Sequence, residues 1–131
     1  AVKLPVTRLG AAVGRELGRR GIPVTFTACY EVHQVLVAAA LGATYIAPYL
    51  GRINDQGRDG MAEVIAMQRC LEGVGSSVRL LAASLRQPGE LSELAGAGLN
   101  TFTISPELAA ELFSSGATAA ASAQFELDAQ S

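Results

Sequence analysis

Tryptophan is absent from the 131 residues, histidine occurs once, cysteine twice, and only seven side chains are Phe or Tyr. Each scarcity removes a class of function. Cys29 and Cys70 form no CxxC and are too few for a disulfide framework or a structural zinc site, so they read as reduced packing residues suited to the cytoplasm. His33 has no carboxylate or cysteine at a useful spacing, which leaves Ser-His and Cys-His nucleophilic chemistry without a base. Ten basic against twelve acidic side chains give a formal charge of −2 and no cation excess to neutralise a nucleic-acid backbone. No apolar run approaches the roughly 20 residues that span a bilayer, and no signal-peptide pattern opens the chain. No GxxxxG precedes a Lys-Ser/Thr pair, so a P-loop is unsupported.

What the chain does have is apolar material: half of its residues are hydrophobic and its mean hydropathy is +0.30. That is enough for one core and, at this length, one domain over 1–131. Short β-branched or apolar runs alternate with Ala/Leu-rich stretches, separated by Gly or Pro, which is the pattern of βα units on a parallel sheet. Strands are expected at 1–6, 22–27, 44–49, 78–83 and 99–104, apolar because both faces of a parallel sheet are covered. A first helix starts behind Thr7 and ends at Gly21, and its Gly10, Gly14 and Gly18 point to close packing. Further helices are expected at about 30–41, at about 60–73, from Pro88, from Ser105-Pro106-Glu107, and over an Ala-rich tail after Gly116 that carries Phe125 and Leu127.

Lys3 sits between Val2 and Leu4, and strand alternation sends its ammonium to the face opposite those two. In a barrel that face is the lumen, where loss of water favours a neutral amine able to attack a carbonyl. Read alone, a lysine near a terminus is a solvated charge. The surrounding motifs change that reading: VKLPVT at 2–7, Gly21-Ile22-Pro23, TFTA at 25–28, YIAPYLGRINDQG at 45–57 and LLAASLR at 80–86.

In order and spacing these motifs closely resemble the small transaldolase and fructose-6-phosphate aldolase family, over essentially all 131 residues. The resemblance implies an α/β fold, part of a TIM (β/α)8 barrel: five parallel βα units equivalent to strands four to eight plus a C-terminal helix, with the three N-terminal units absent. It also implies a lysine Schiff base with a ketose or ketose phosphate and cleavage or formation of the C3–C4 bond, without metal or cofactor. Lys3 matches the imine-forming lysine, Thr27 an active-site hydroxyl, and Tyr49 the phenol that holds a water for proton transfer in the aldolase subfamily. Arg52, Ser84 and Arg86 match basic and hydroxyl groups that hold the sugar phosphate, and guanidinium forks suit phosphate oxygens. Asn54 stands where the family often has Asp, with Asp55 one position later. The family's acid/base Asp belongs to the first barrel strand, which has no counterpart in this sequence. The resemblance further implies a small sugar or sugar-phosphate ligand; the open sheet edges and the Ala-rich tail point to a homo-oligomer, and the charge balance and lack of a long apolar run point to neither nucleic acid nor membrane as a partner. Two other readings use the same residues: a non-catalytic sugar-phosphate-binding remnant, and a self-associating structural module built on open sheet edges.

Overall fold

In the computed structural model, which describes residues 1–131, five strands form one parallel sheet in the unreversed order β1-β2-β3-β4-β5. They are β1 (Val2–Pro5), β2 (Val24–Cys29), β3 (Tyr45–Pro48), β4 (Arg79–Ala82) and β5 (Thr101–Phe102). All five expected strands are present, each trimmed or displaced by one to two residues at its ends. A doubly wound sheet reverses its strand order and so acquires helices on both faces. A sheet that runs in one direction with helical crossovers collects its helices on one face, as a barrel does. Five such units are five-eighths of a (β/α)8 barrel, and β1 and β5 are its open edges.

The two faces follow from the register. Lys3 pairs with Thr25, Thr25 with Tyr45, Tyr45 with Arg79, and Leu81 with Thr101, so these side chains share one face. The alternate positions, including Phe26, Ile46 and Leu80, face the helices and join one 19-residue core cluster. Burying a Phe, Ile or Leu fully contributes about 1.5–3 kcal/mol, so this layer holds the helices on the sheet. The expectation that both faces are covered is corrected here: only the helix side is, because no second wall faces Lys3 and Thr103, which are exposed.

Helix α1 (Arg8–Arg19) begins at Thr7, whose hydroxyl accepts from the Gly10 amide at 3.0 Å, and stops before Gly21 at φ 72°. The expected close packing is found at two of its three glycines. A Cβ on Gly10 would overlap the Pro5 carbonyl and one on Gly14 would sit 2.8 Å from Phe26 Cζ, whereas Gly18 is exposed and a Cβ there would make only an ordinary contact with the Leu41 carbonyl oxygen at 3.9 Å. Helix α2 (Gln34–Leu41) starts four residues later than expected. Its Gln34 side chain accepts from the Tyr30 and Glu31 amides at 2.9 and 3.0 Å and holds 30–33 in a turn.

Helix α3 (Leu50–Asp55) lies directly after β3, in a stretch where no helix was expected. No side chain caps it; its first amides instead use main-chain oxygens at the end of β4, Leu50 donating to Ala83 and Gly51 to Ser84. Helix α4 (Gly60–Gly73) is capped by Asp59, α5 (Pro88–Gly96) by a Gln87–Glu90 capping box, and α6 (Pro106–Glu111) by Ser105. The terminal α7 (Gly116–Gln130) buries none of its residues, and Phe125 and Leu127 are exposed. No helix is long and apolar enough to cross a membrane.

Candidate functional site

Lys3, Thr27, Tyr49, Arg52 and Ser84 line one cavity of about 320 Å3 on the open face of the sheet, together with Ala47, Leu81, Ala83 and Thr103. Five residues that are up to 81 positions apart in sequence are therefore neighbours in space. Four of them lie at or just beyond the C-terminal ends of β2, β3 and β4, the end at which barrels carry their chemistry. A larger, shallow hollow of about 510 Å3 between α2 and the turn before β4 is lined without a single ionisable side chain.

Local backbone irregularity aims these groups. The β2–β3 pairing breaks register between Phe26 and Cys29, and Ala28 takes a left-handed φ of 56°. This lets Thr27 face the cavity while Cys29 returns to the core. Ser84 also has a left-handed φ, 58°, just after β4. Side chains other than Gly, Asn and Asp seldom adopt that region, and its occurrence at the ends of β2 and β4, the strands on either side of β3, marks the site. Gly51 is required by the same construction, because a Cβ there would lie 2.5 Å from the Ser84 carbonyl oxygen and 2.8 Å from its hydroxyl.

The Tyr49 phenol is held on three sides. Its hydroxyl hydrogen-bonds the Thr27 hydroxyl at 2.5 Å, its ring meets Tyr30 edge-on with centroids 5.6 Å apart, and the Arg52 guanidinium carbon lies 5.1 Å from its centroid. Arg52 is exposed on α3, which leaves its donors open to a ligand in the cavity. Lys3 is exposed as well. The desolvation expected for its amine is not supplied by these 131 residues, because nothing in the chain covers the cavity from the side opposite the sheet.

Arg86 does not join the group. Its guanidinium makes a two-pronged ion pair with Asp55, both N···O distances being 2.8 Å. Hydrogen bonding to Arg86 draws the Asp55 carboxyl below its ordinary pKa, and Asp55 in turn raises that of Arg86. Asn54 serves the loop, its carbonyl oxygen accepting from the Gly60 amide at 2.7 Å. His33 is exposed in the turn before α2. Burial pushes the Cys29 thiol up to about 12, which makes it an inert packing group. No cluster of three or more His, Cys, Asp or Glu side chains is placed to hold a metal ion.

Two side chains near the site, Thr103 and Tyr30, carry no motif in the sequence. Thr103 was visible in the alternation of Thr101 and Thr103; Tyr30 had no signal beyond following a strand. The cavity thus offers one primary amine, three hydroxyls of Thr and Ser, one phenol and one guanidinium, and no carboxylate.

The sequence model of the transaldolase/fructose-6-phosphate aldolase family matches residues 1–131. A probable transaldolase 2 of Listeria monocytogenes is 39% identical over 113 residues, 86% of this chain and 52% of that protein. A probable transaldolase of Phenylobacterium zucineum is 37% identical over 112 residues, with the same coverages of 86% and 52%. The chain spans about half the length of these curated relatives. Among solved structures, a doubly substituted flavocytochrome b2 with pyruvate bound superposes with a TM-score of 0.57 at 14% identity, covering 69% of this chain and 25% of that one. The same protein with sulfite bound gives a TM-score of 0.56. At that identity the likeness concerns the fold alone.

Proposed function

Since the chain belongs to the transaldolase/fructose-6-phosphate aldolase family, we propose that it forms the lysine-bearing part of a Schiff-base aldolase or transaldolase barrel, with β1–β5 as strands four to eight. The observation that carries this reading is the convergence of Lys3, Thr27, Tyr49, Arg52 and Ser84 on one cavity. The substrate class is a small ketose or ketose phosphate.

In this reading the Lys3 amine adds to the ketose carbonyl and water leaves, forming a protonated imine. The C4 hydroxyl then loses its proton to a base, the C3–C4 bond breaks, and its electron pair passes into the iminium to give an enamine. The aldehyde departs. Protonation of the enamine carbon and hydrolysis release the ketone and regenerate the amine; addition of the enamine to another aldehyde completes a transfer instead. Thr27 and Tyr49 form the proton-handling pair, hydrogen-bonded to each other. Arg52 and Ser84 receive the phosphate, the first with a planar fork and the second with its hydroxyl. Arg86, matched to the phosphate group by resemblance, reaches it only on release from Asp55.

The cavity holds no carboxylate, so the base for the C4 hydroxyl comes from outside these residues. That same fact favours a second reading, in which the chain binds sugar phosphate without turnover.

Borohydride trapping with dihydroxyacetone and with fructose 6-phosphate, read by intact mass and peptide mapping, tests the first reading. A stable adduct on Lys3 that Lys3→Ala abolishes is the expected result. No adduct from a folded sample, combined with a thermal shift from fructose 6-phosphate, would replace it with the second reading.

A further inference from the structure

The loop between α3 and α4 carries one arginine whose contacts exceed what a loop requires. The Arg58 guanidinium donates to the Tyr30 carbonyl at 2.9 Å, to the two Glu31 carboxylate oxygens at 3.0 and 3.2 Å, and to the Gln56 side-chain carbonyl at 3.1 Å. The Glu63 carboxylate lies 3.6 Å away. Its main chain is fixed on both sides, by Gly57 at a left-handed φ of 77° and by Asp59, which caps α4. The side chain is only 27% exposed, so its bonds are partly shielded from water.

Every one of those contacts except Gln56 and Glu63 ends on the turn after β2, and that turn places Tyr30 edge-on against Tyr49. The Tyr49 ring is otherwise limited by Thr27 at its hydroxyl and Arg52 near its face. Remove the Tyr30 edge and the ring gains freedom about its side-chain torsions, so its hydroxyl spends less time on Thr27.

We propose that Arg58 is a positioning residue for the Tyr49 phenol, acting through the Tyr30 carbonyl and ring. This rests on the reading of Tyr49 as the proton-handling phenol, but the geometric coupling is testable without turnover. It gives a loop arginine remote from the cavity a share in reactivity, since misplacing a reacting group by about 1 Å lowers rates on the order of 100-fold.

The chain contains three tyrosines and no tryptophan, so the 131-residue chain carrying 13C-labelled tyrosine rings gives three sets of ring signals in heteronuclear NMR, with Tyr49→Phe and Tyr30→Phe assigning two of them. Arg58→Met is expected to move the Tyr30 and Tyr49 signals by more than their linewidths and to leave Tyr45, at the other end of β3, in place. Arg58→Lys, which keeps one charged donor without the fork, is expected to move them less, and the exposed Arg69→Met not at all. Unmoved Tyr49 signals in Arg58→Met would overturn the proposal. So would equal movement of all three tyrosines, which marks a general loosening. Because the signals report with or without imine formation, failure of Lys3 trapping and failure of this proposal are separate results.

Discussion

On the helix-covered face of the sheet Phe26, Ile46 and Leu80 are at most 2% exposed, whereas on the opposite face Lys3 and Thr103 are open to solvent and Thr27 and Tyr49 are half-buried. One face holds the chain together; the other holds chemistry that contributes little to that hold. Stability and reactivity should therefore respond to different substitutions, even at adjacent residues such as Phe26 and Thr27. The largest expected effect breaks the covered face. Phe26→Ala removes a fully buried ring packed against Gly14 and should destabilise by about 3–5 kcal/mol, read from urea unfolding. Within a typical total of about 5–15 kcal/mol, that leaves the fold marginal. A loss below about 1 kcal/mol would mean that the core relaxes around the missing ring and that the two faces are less distinct than their burial implies.

Gly51 joins the two faces, since it lets α3, whose Leu50 and Ile53 are in the core, approach the strand end that presents Ser84. Gly51→Ala forces Ser84 or α3 to move and should cost about 1–3 kcal/mol. It should also weaken fructose 6-phosphate binding in a thermal-shift titration, because Arg52 and Ser84 separate. A stability loss with binding retained would show that the phosphate groups are held independently of this contact.

Thr27→Val probes the open face alone. It keeps the branched shape and removes the hydroxyl bonded to Tyr49, a change worth about 0.5–1.5 kcal/mol. The urea midpoint should fall slightly, while the yield of enamine-dependent products should fall far more in any system where the barrel turns over. Equal small effects on both would remove Thr27 from the proton-handling pair.

The sequence made the covered face legible because its signals are local and repeated: β-branched runs, Gly and Pro punctuation, and capping residues at Thr7 and Ser105 that bond as expected. It was less informative about α3, whose start depends on carbonyls 33 positions away, Leu50 on Ala83 and Gly51 on Ser84, and on no side-chain cap. The late start of α2 is local instead: the Gln34 side chain accepts from the Tyr30 and Glu31 amides and holds 30–33 as a turn ahead of the helix. At the site, alternation along β1 turned Lys3 to one face, and resemblance to the family supplied Thr27, Tyr49, Arg52 and Ser84. Neither could foresee that Asp55, shifted by one position from the usual family acid, would face Arg86.

That pair yields the smallest and sharpest test. Asp55 and Arg86 are both exposed, so solvent screens their attraction and Asp55→Asn should leave the melting temperature nearly unchanged. Its effect should appear in binding instead: with the carboxylate gone, the Arg86 fork is free to turn toward Ser84 and the cavity, and affinity for inorganic phosphate should rise. The pH dependence has a defined sign. The Asp55 pKa is lowered in the fold, so the pairing is intact above the ordinary carboxylate range and is lost only as pH falls through the lower folded value. Wild-type phosphate affinity, corrected for phosphate protonation, should therefore stay at its neutral-pH level through the ordinary carboxylate range and move toward that of Asp55→Asn only at more acid pH. An Asp55→Asn chain that binds phosphate no better than wild type would show that Arg86 stays outside the cavity even when released, and that Arg52 and Ser84 carry the anion alone.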